Sequence, residues 1–294
     1  MSDPSVTPPV DKARELKLRI ASALVIAPVA LALTWWGGIP FAILVVVCAV
    51  LMMDEWTTIV MGPSRSGLRL GQLGFVGLSV AVAAFAGRVG SPPVFAITAV
   101  VAGLGVASAL SMREARERAL SDEARRWAPW GSLYTGLPSI ALVSLRDASI
   151  GLWLIFFLFA VVWTTDIAAF FAGRAIGGPK LWERVSPKKT WSGAVGGVVG
   201  AVIAGLLVAH FAGAPRLLPV LAVVVVLSIA SQGGDLFESA LKRRFGVKDS
   251  GRLIPGHGGI LDRVDGLVTA AVAALVIATA HGGVNAPSAG LLFW

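Results

Sequence analysis

Residues 151–174 read GLWLIFFLFAVVWTTDIAAFFAGR, and Asp166 is the only charged side chain before Arg174. A helix needs about 20 apolar residues to cross the hydrocarbon core of a bilayer, and this run is long enough. The pattern recurs along the chain. Of its 294 residues, 56% are hydrophobic and 14% charged, and the mean hydropathy is +0.79. Soluble domains carry about 25% charged residues. The composition therefore implies an all-α polytopic membrane protein and argues against a soluble globular domain. Nine spanning segments are predicted, at 20–36, 39–60, 72–87, 93–111, 131–146, 152–173, 192–212, 216–238 and 265–281.

The first of these runs is too long, and wrongly flanked, for a cleaved signal peptide, so it is expected to remain as an anchor. The implied organisation has four parts. A polar tail over 1–19 precedes five supporting or dimerising helices over 20–147. Four helices with two long loops, candidates for the functional half, follow over 150–283, then a short tail over 284–294. The lone cysteine, Cys48, lies in an apolar run and allows no intrachain disulfide.

Nine crossings put the termini on opposite sides, and basic residues choose the orientation. With the N-terminus cytoplasmic, the tail and the loops near 61–71, 112–130, 174–191 and 242–264 hold 22 of the 25 Lys and Arg. Arg88, Arg146 and Arg216 fall on the other side. The net charge of +8 thus sits on the cytoplasmic face, where it favours anionic headgroups. No basic stripe with interleaved aromatics suggests nucleic-acid binding. Trp35, Trp36, Trp56, Trp127, Trp130 and Trp153 fall near helix ends, where interfacial anchoring is expected.

Charges inside membrane helices are expensive and need a reason. Asp54 and Glu55 lie near the cytoplasmic end of the second segment and are read as structural. Asp166 sits deeper. The eighth segment, with its cytoplasmic extension, ends LSIASQGGDLFESALKRR over 227–244. There Ser228, Ser231, Gln232, Asp235, Ser239 and Lys242 share one helical face, with Glu238 close by. A polar stripe entering the bilayer is expected to line a wet cavity or a protein interior.

The stretch 248–266, KDSGRLIPGHGGILDRVDG, follows as a charged, glycine-rich loop. Glycine lets backbone N–H groups approach an anion closely, as in phosphate loops. Asp262 and Asp265 open the ninth segment, and a capping role is open for Asp265. A second basic loop, RAIGGPKLWERVSPKKTWSGAVGG over 174–197, clusters Ser186, Lys188, Lys189 and Thr190 before a helix start. Hydroxyls, ammonium groups and a helix N-terminus together suit a polyphosphate. Carboxylates at the membrane boundary suit a divalent cation, and an apolar bundle admits a lipid. The chemistry implied is metal-assisted phosphoryl or nucleotidyl transfer onto a lipid.

The stretch SALKRRFGVKDSGRLIPGHGGILDRVDG, residues 239–266, closely resembles the signature of the bacterial phosphatidate cytidylyltransferases, or CDP-diacylglycerol synthases. Ser239, Lys242, Arg243, Lys248, Asp249, Pro255, His257, Gly258, Gly259, Asp262, Arg263 and Asp265 all fit it, and GDLFES and SPKKTW upstream resemble the same family. The likeness is firm across 164–266. It implies multi-helix membrane proteins, thought to be dimers, with a funnel-like site among the C-terminal helices. The implied reaction makes CDP-diacylglycerol and pyrophosphate from CTP and phosphatidic acid, with magnesium and potassium as a candidate second ion. The implied place is the inner membrane, with the site facing the cytoplasm. Asp235 and Asp262 match the metal-holding carboxylates. Candidate catalytic residues are Asp235, Lys248, Asp249, His257, Asp262 and Arg263, with His257 expected to position rather than abstract a proton. Candidate substrate contacts are Ser186, Lys188, Lys189, Thr190, Ser239, Lys242, Arg243, Gly258, Gly259, Asp265 and Asp166.

Ser192 departs from the glutamate expected after Lys-Lys-Thr-Trp, and Ile167 and Phe170 replace residues commoner near Asp166. Two alternatives stand beside this reading: a CTP-dependent transferase with another lipid acceptor, and an ion-coupled transporter using Asp166 and Asp235. The aspartate motif of enzymes joining a CDP-alcohol to a lipid is absent.

Overall fold

In hydrocarbon a chain has no water to satisfy its backbone, so each apolar run closes its hydrogen bonds internally as a helix. The computed structural model describes residues 12–86, 93–254, 258–283 and 287–294. Its long helices are α1 (Lys12–Trp36), α2 (Gly38–Met61), α3 (Gly67–Phe85), α4 (Pro93–Glu117), α6 (Trp130–Arg146), α7 (Gly151–Ile176), α8 (Trp191–Phe211), α9 (Leu217–Arg244) and α10 (Leu261–Gly282). The short α5 (Asp122–Trp127) and α11 (Pro287–Leu292) complete the set. Each of the nine predicted segments overlaps one of these long helices among the described residues. Among the described residues, α2, α3, α4, α7, α8, α9 and α10 are seven helices long and apolar enough to cross a membrane. The 17-residue α6 is shorter, and of α1 the apolar stretch among the described residues is Leu24–Trp36.

The structure corrects several boundaries. Helix α3 starts at Gly67 because Ser66 caps it, accepting from the Arg69 N–H at 3.0 Å. Arg69 is therefore a buried helical residue, paired with Asp54 at 2.6 Å, rather than part of a solvated loop. Helix α9 continues to Arg244, so Lys242 and Arg243 lie on its last turn. Helix α10 starts at Leu261, four residues earlier than predicted. The basic segment 174–191 contains an antiparallel hairpin, β1 (Lys180–Trp182) with β2 (Ser186–Thr190).

Trp56 is not an interfacial anchor. It is fully buried against Gly131, 5.0 Å from the Tyr134 ring and 6.4 Å from Trp127. A helix-end tryptophan reaches the interface only where no neighbour covers it, and here α5 and α6 do. Trp35, Trp36 and Trp130 remain exposed.

The apolar core lies where α2, α6, α7, α9 and α10 meet, around Phe157, Leu158, Leu227 and Ala271. The N-terminal helices therefore share one core with α7–α10. Helices α7 and α8 pack closely because α8 offers glycine. A Cβ at Gly197 would stand 2.9 Å from the Thr165 carbonyl oxygen, well inside ordinary contact. The C-termini of α2, α4, α7 and α9 gather at one end with the N-termini of α3, α8 and α10 and with the hairpin. Contacts such as Ser66–Glu114, Lys189–Asp235 and Glu55–Leu261 tie that end together.

Candidate active site

The polar stripe of α9 enters the protein interior at this end. Ser228 and Ser231 are fully buried, and Ser228 Oγ lies 2.8 Å from Thr165 Oγ1 on α7. One turn on, Asp235 accepts a hydrogen bond from Lys189 Nζ on β2, an ion pair that is partly exposed on both sides. Ser239 Oγ donates to Asp235 Oδ1 at 3.4 Å. Lys242 then binds Asp262 Oδ1 of α10 at 2.5 Å and stands 3.4 Å from Glu238 Oε1. The site thus holds two lysine–aspartate pairs, each joining α9 to a different element.

Asp262 also organises the loop before α10. Its Oδ2 accepts the Ser250 N–H at 2.8 Å and the Gly259 N–H at 2.9 Å, with Ser250 Oγ at 2.8 Å. A Cβ at Gly258, where φ is +84°, would come 2.6 Å from this oxygen, so only glycine lets the turn fold so tightly over the carboxylate. The Ile254 N–H donates to the Gly258 carbonyl at 2.9 Å. His257 and Pro255, between those residues, lie outside the described residues.

One tie comes from far away in sequence. Glu55 of α2 is buried, and its carboxylate accepts the N–H groups of Ile260 and Leu261, each at 2.8 Å, with Ser250 Oγ at 3.1 Å. A helix start leaves N–H groups without partners. At α10 the partner is not a local side chain but the carboxylate of another helix, which the helix dipole also favours. Asp265 is therefore not the cap: it sits on the second turn, its Oδ1 accepting the Gly266 N–H at 2.8 Å.

Glu238 is fully buried, and its carboxylate faces the Lys242 ammonium in an ion pair at 3.4 Å. It lies within electrostatic reach of Asp262 and Asp265, and Asp166 lies within reach of Asp235, Asp265 and Lys189. The result is a strip of carboxylates with two lysines. Among the described residues, no three His, Cys, Asp or Glu side chains form a ready metal cage.

The other predicted residues divide by place. Thr190 is buried and caps α8, accepting the Gly193 N–H at 3.1 Å, so its hydroxyl already has a structural partner. Ser186 lies on β2 opposite Trp182. Lys188, Arg243, Lys248 and Asp249 are exposed at this end. Arg263, Asp265 and Asp166 line the mouth of an apolar cavity. Ser192, where glutamate was expected, donates to the Gly177 carbonyl and closes the base of the hairpin. Sequence reading left out Ser250 and did not connect Glu55 to this site. The signal for Glu55 was a carboxylate within a membrane helix, and the signal for Ser250 was its place inside the signature.

Comparison with known proteins identifies relatives of the chain. A model described as "Cytidylyltransferase family" matches residues 17–281. A phosphatidate cytidylyltransferase of Brucella suis is 42% identical over 275 residues, covering 93% of this chain and 97% of the relative. One from Brucella abortus is 44% identical over 257 residues, covering 87% and 90%. Another from Bacillus subtilis is 42% identical over 136 residues, covering 46% and 51%.

Proposed function

The chain belongs to the cytidylyltransferase family, and from that premise we propose how its site works. It is a phosphatidate cytidylyltransferase, a multi-pass membrane enzyme converting CTP and phosphatidic acid into CDP-diacylglycerol and pyrophosphate. The observation that carries the reading is the pair of lysine–aspartate contacts, Lys189–Asp235 and Lys242–Asp262, joined through α10 to Arg263 and Asp265, which line an apolar cavity.

In the proposed reaction a phosphatidate oxygen bonds to the α-phosphorus of CTP, the bond to the bridging oxygen breaks, and pyrophosphate leaves in line. A phosphate monoester is largely ionised near neutral pH, so no strong general base is required. Lys189, with exposed Lys188 and Lys248, turns toward the nucleotide phosphates and offsets their charge. Arg263, at the cavity mouth, holds the lipid phosphate. Asp262 keeps the glycine turn closed, and the loop carrying His257 positions the reacting groups.

The excess of carboxylates over lysines in this strip, with Glu238 fully buried among them, supports a bound divalent cation. Asp235 and Asp262 would hold magnesium once the lysines move to phosphate, with potassium as a second ion. Bound there, magnesium would supply charge stabilisation at the phosphates. Incorporation of radiolabelled CTP into lipid by the purified, detergent-solubilised enzyme tests the whole reading. Label should enter lipid only with phosphatidate present, stop on chelation and return with magnesium. Label entering without phosphatidate, or no label at all, would overturn it.

Lys188→Ala, Lys189→Ala and Lys248→Ala should each raise the KM for CTP more than that for phosphatidate, since the lost charge acts on the polyphosphate. Each loss is worth about 1–3 kcal/mol, and kinetics unchanged in all three variants would remove these residues from the site.

The enzyme is further proposed to sit in the inner membrane as a homodimer, with its N-terminus and site cytoplasmic. The dimer is checked by the mass of the solubilised particle: a monomer mass would refute it. Orientation is checked in a Cys48→Ala background, where Asp122→Cys should resist an impermeant thiol reagent in intact cells and Pro215→Cys should react. The reverse pattern would invert the topology.

A further inference from the structure

The cavity at the site's mouth has a volume of about 390 Å³ and runs between α1, α2, α6, α7 and α10. Its size is that of ligand pockets in general, about 300–1,000 Å³. Helix α2 lines it from Met52 to Phe41, eleven residues or about 16 Å along the helix axis. Away from the mouth the walls are apolar. Thr34 and Ser139 are there, but each donates its hydroxyl to its own helix, to the Ala30 and Thr135 carbonyls at 2.7 Å. Such back-bonded hydroxyls offer little to a guest, and a water molecule needs two to four polar partners. The cavity's chemistry is therefore that of hydrocarbon. One wall is α1, which turns Leu24 and Val29 outward, 69% and 50% exposed, and lines the cavity with the small Ala27 and Ala30. Trp163 of α7 adds a bulky side chain to the lining.

We propose that this cavity holds one acyl chain of the lipid substrate, and that Ala27 and Ala30 of α1, with Trp163, set the chain length it accepts. The inference rests on the lipid-phosphate reading of the site. Continuity argues for this occupant. A phosphate held at Arg263 starts the lipid at the polar mouth, and the space beyond is dry and elongated. The first helix then does more than support the fold: its small residues are a specificity determinant for the second substrate.

Two measurements on the full-length enzyme test this. Phosphatidate carrying a diazirine midway along one acyl chain should crosslink to peptides from 26–34 and 41–52, and unlabelled phosphatidate should compete. Adducts confined to the outer faces of α8 and α9, or not competed, would overturn the proposal. Ala30→Phe, with Ala30→Leu as the milder variant, should lower kcat/KM for dioleoyl phosphatidate about tenfold relative to the dioctanoyl lipid. The KM for CTP should not move. An unchanged ratio between the two lipids would also overturn it. An unaltered enzyme that forms no CDP-lipid would instead refute the functional reading, and the crosslinks would still decide whether the slot holds a chain.

Discussion

Asp235→Asn and Asp262→Asn should each lower CDP-diacylglycerol formation at least a hundredfold, on the order of 3 kcal/mol of transition-state stabilisation, in a protein that remains folded. Asparagine keeps the shape of each side chain and removes its charge. At Asp235 that releases Lys189, and at Asp262 it releases Lys242. One amide oxygen at position 262 can still accept from Ser250 and Gly259, so the turn should persist. If both carboxylates act through a single cation, the losses should not add in the double variant. The check is the radiolabelled assay across a magnesium titration, with circular dichroism to verify the fold. Substantial magnesium-dependent activity in either variant would remove that carboxylate from the metal site.

The second large effect is expected at Glu55, far from the signature in sequence. Glu55→Ala leaves the Ile260 and Leu261 N–H groups without their acceptor, and each buried unsatisfied group costs roughly 1–3 kcal/mol. Glu55→Gln keeps one acceptor oxygen but turns an NH₂ donor toward other donors. Loosening the start of α10 also displaces Asp262, so activity should fall more than about tenfold, as when an outer-shell partner is lost. The midpoint of thermal unfolding in detergent should fall by about 5–10 °C for the alanine variant. Wild-type melting and turnover in Glu55→Ala would show that α2 does not hold the loop.

The glycine loop has acceptors inside the protein that its sequence does not name. Its glycines do let N–H groups approach anions closely, but in this structure the anions are the protein's own Asp262 and Glu55. The sequence shows that N–H groups are available and cannot say which carboxylate reaches them. The same holds for Asp265, which looks like a cap from its place near a helix start but loses that role to a residue on α2. The stripe on α9 was legible because helical periodicity is local: Ser228, Asp235 and Lys242 share a face whatever surrounds them.

Local rules therefore determined much of this protein from the sequence alone. Apolar runs longer than a bilayer is thick must be helices, their basic flanks mark one end, and a polar face inside hydrocarbon must turn inward. The signature and the family followed from residues close together in the chain. Only the tertiary structure decided the partners: Lys189 with Asp235, Lys242 with Asp262, Glu55 with a helix start 205 residues away, and the slot between α1, α2 and α7. The physical reason is that the hydrophobic burden of a segment is a sum over its own residues. A hydrogen bond or a cavity wall instead depends on which helices pack together, and packing is settled by side-chain shape across the whole bundle.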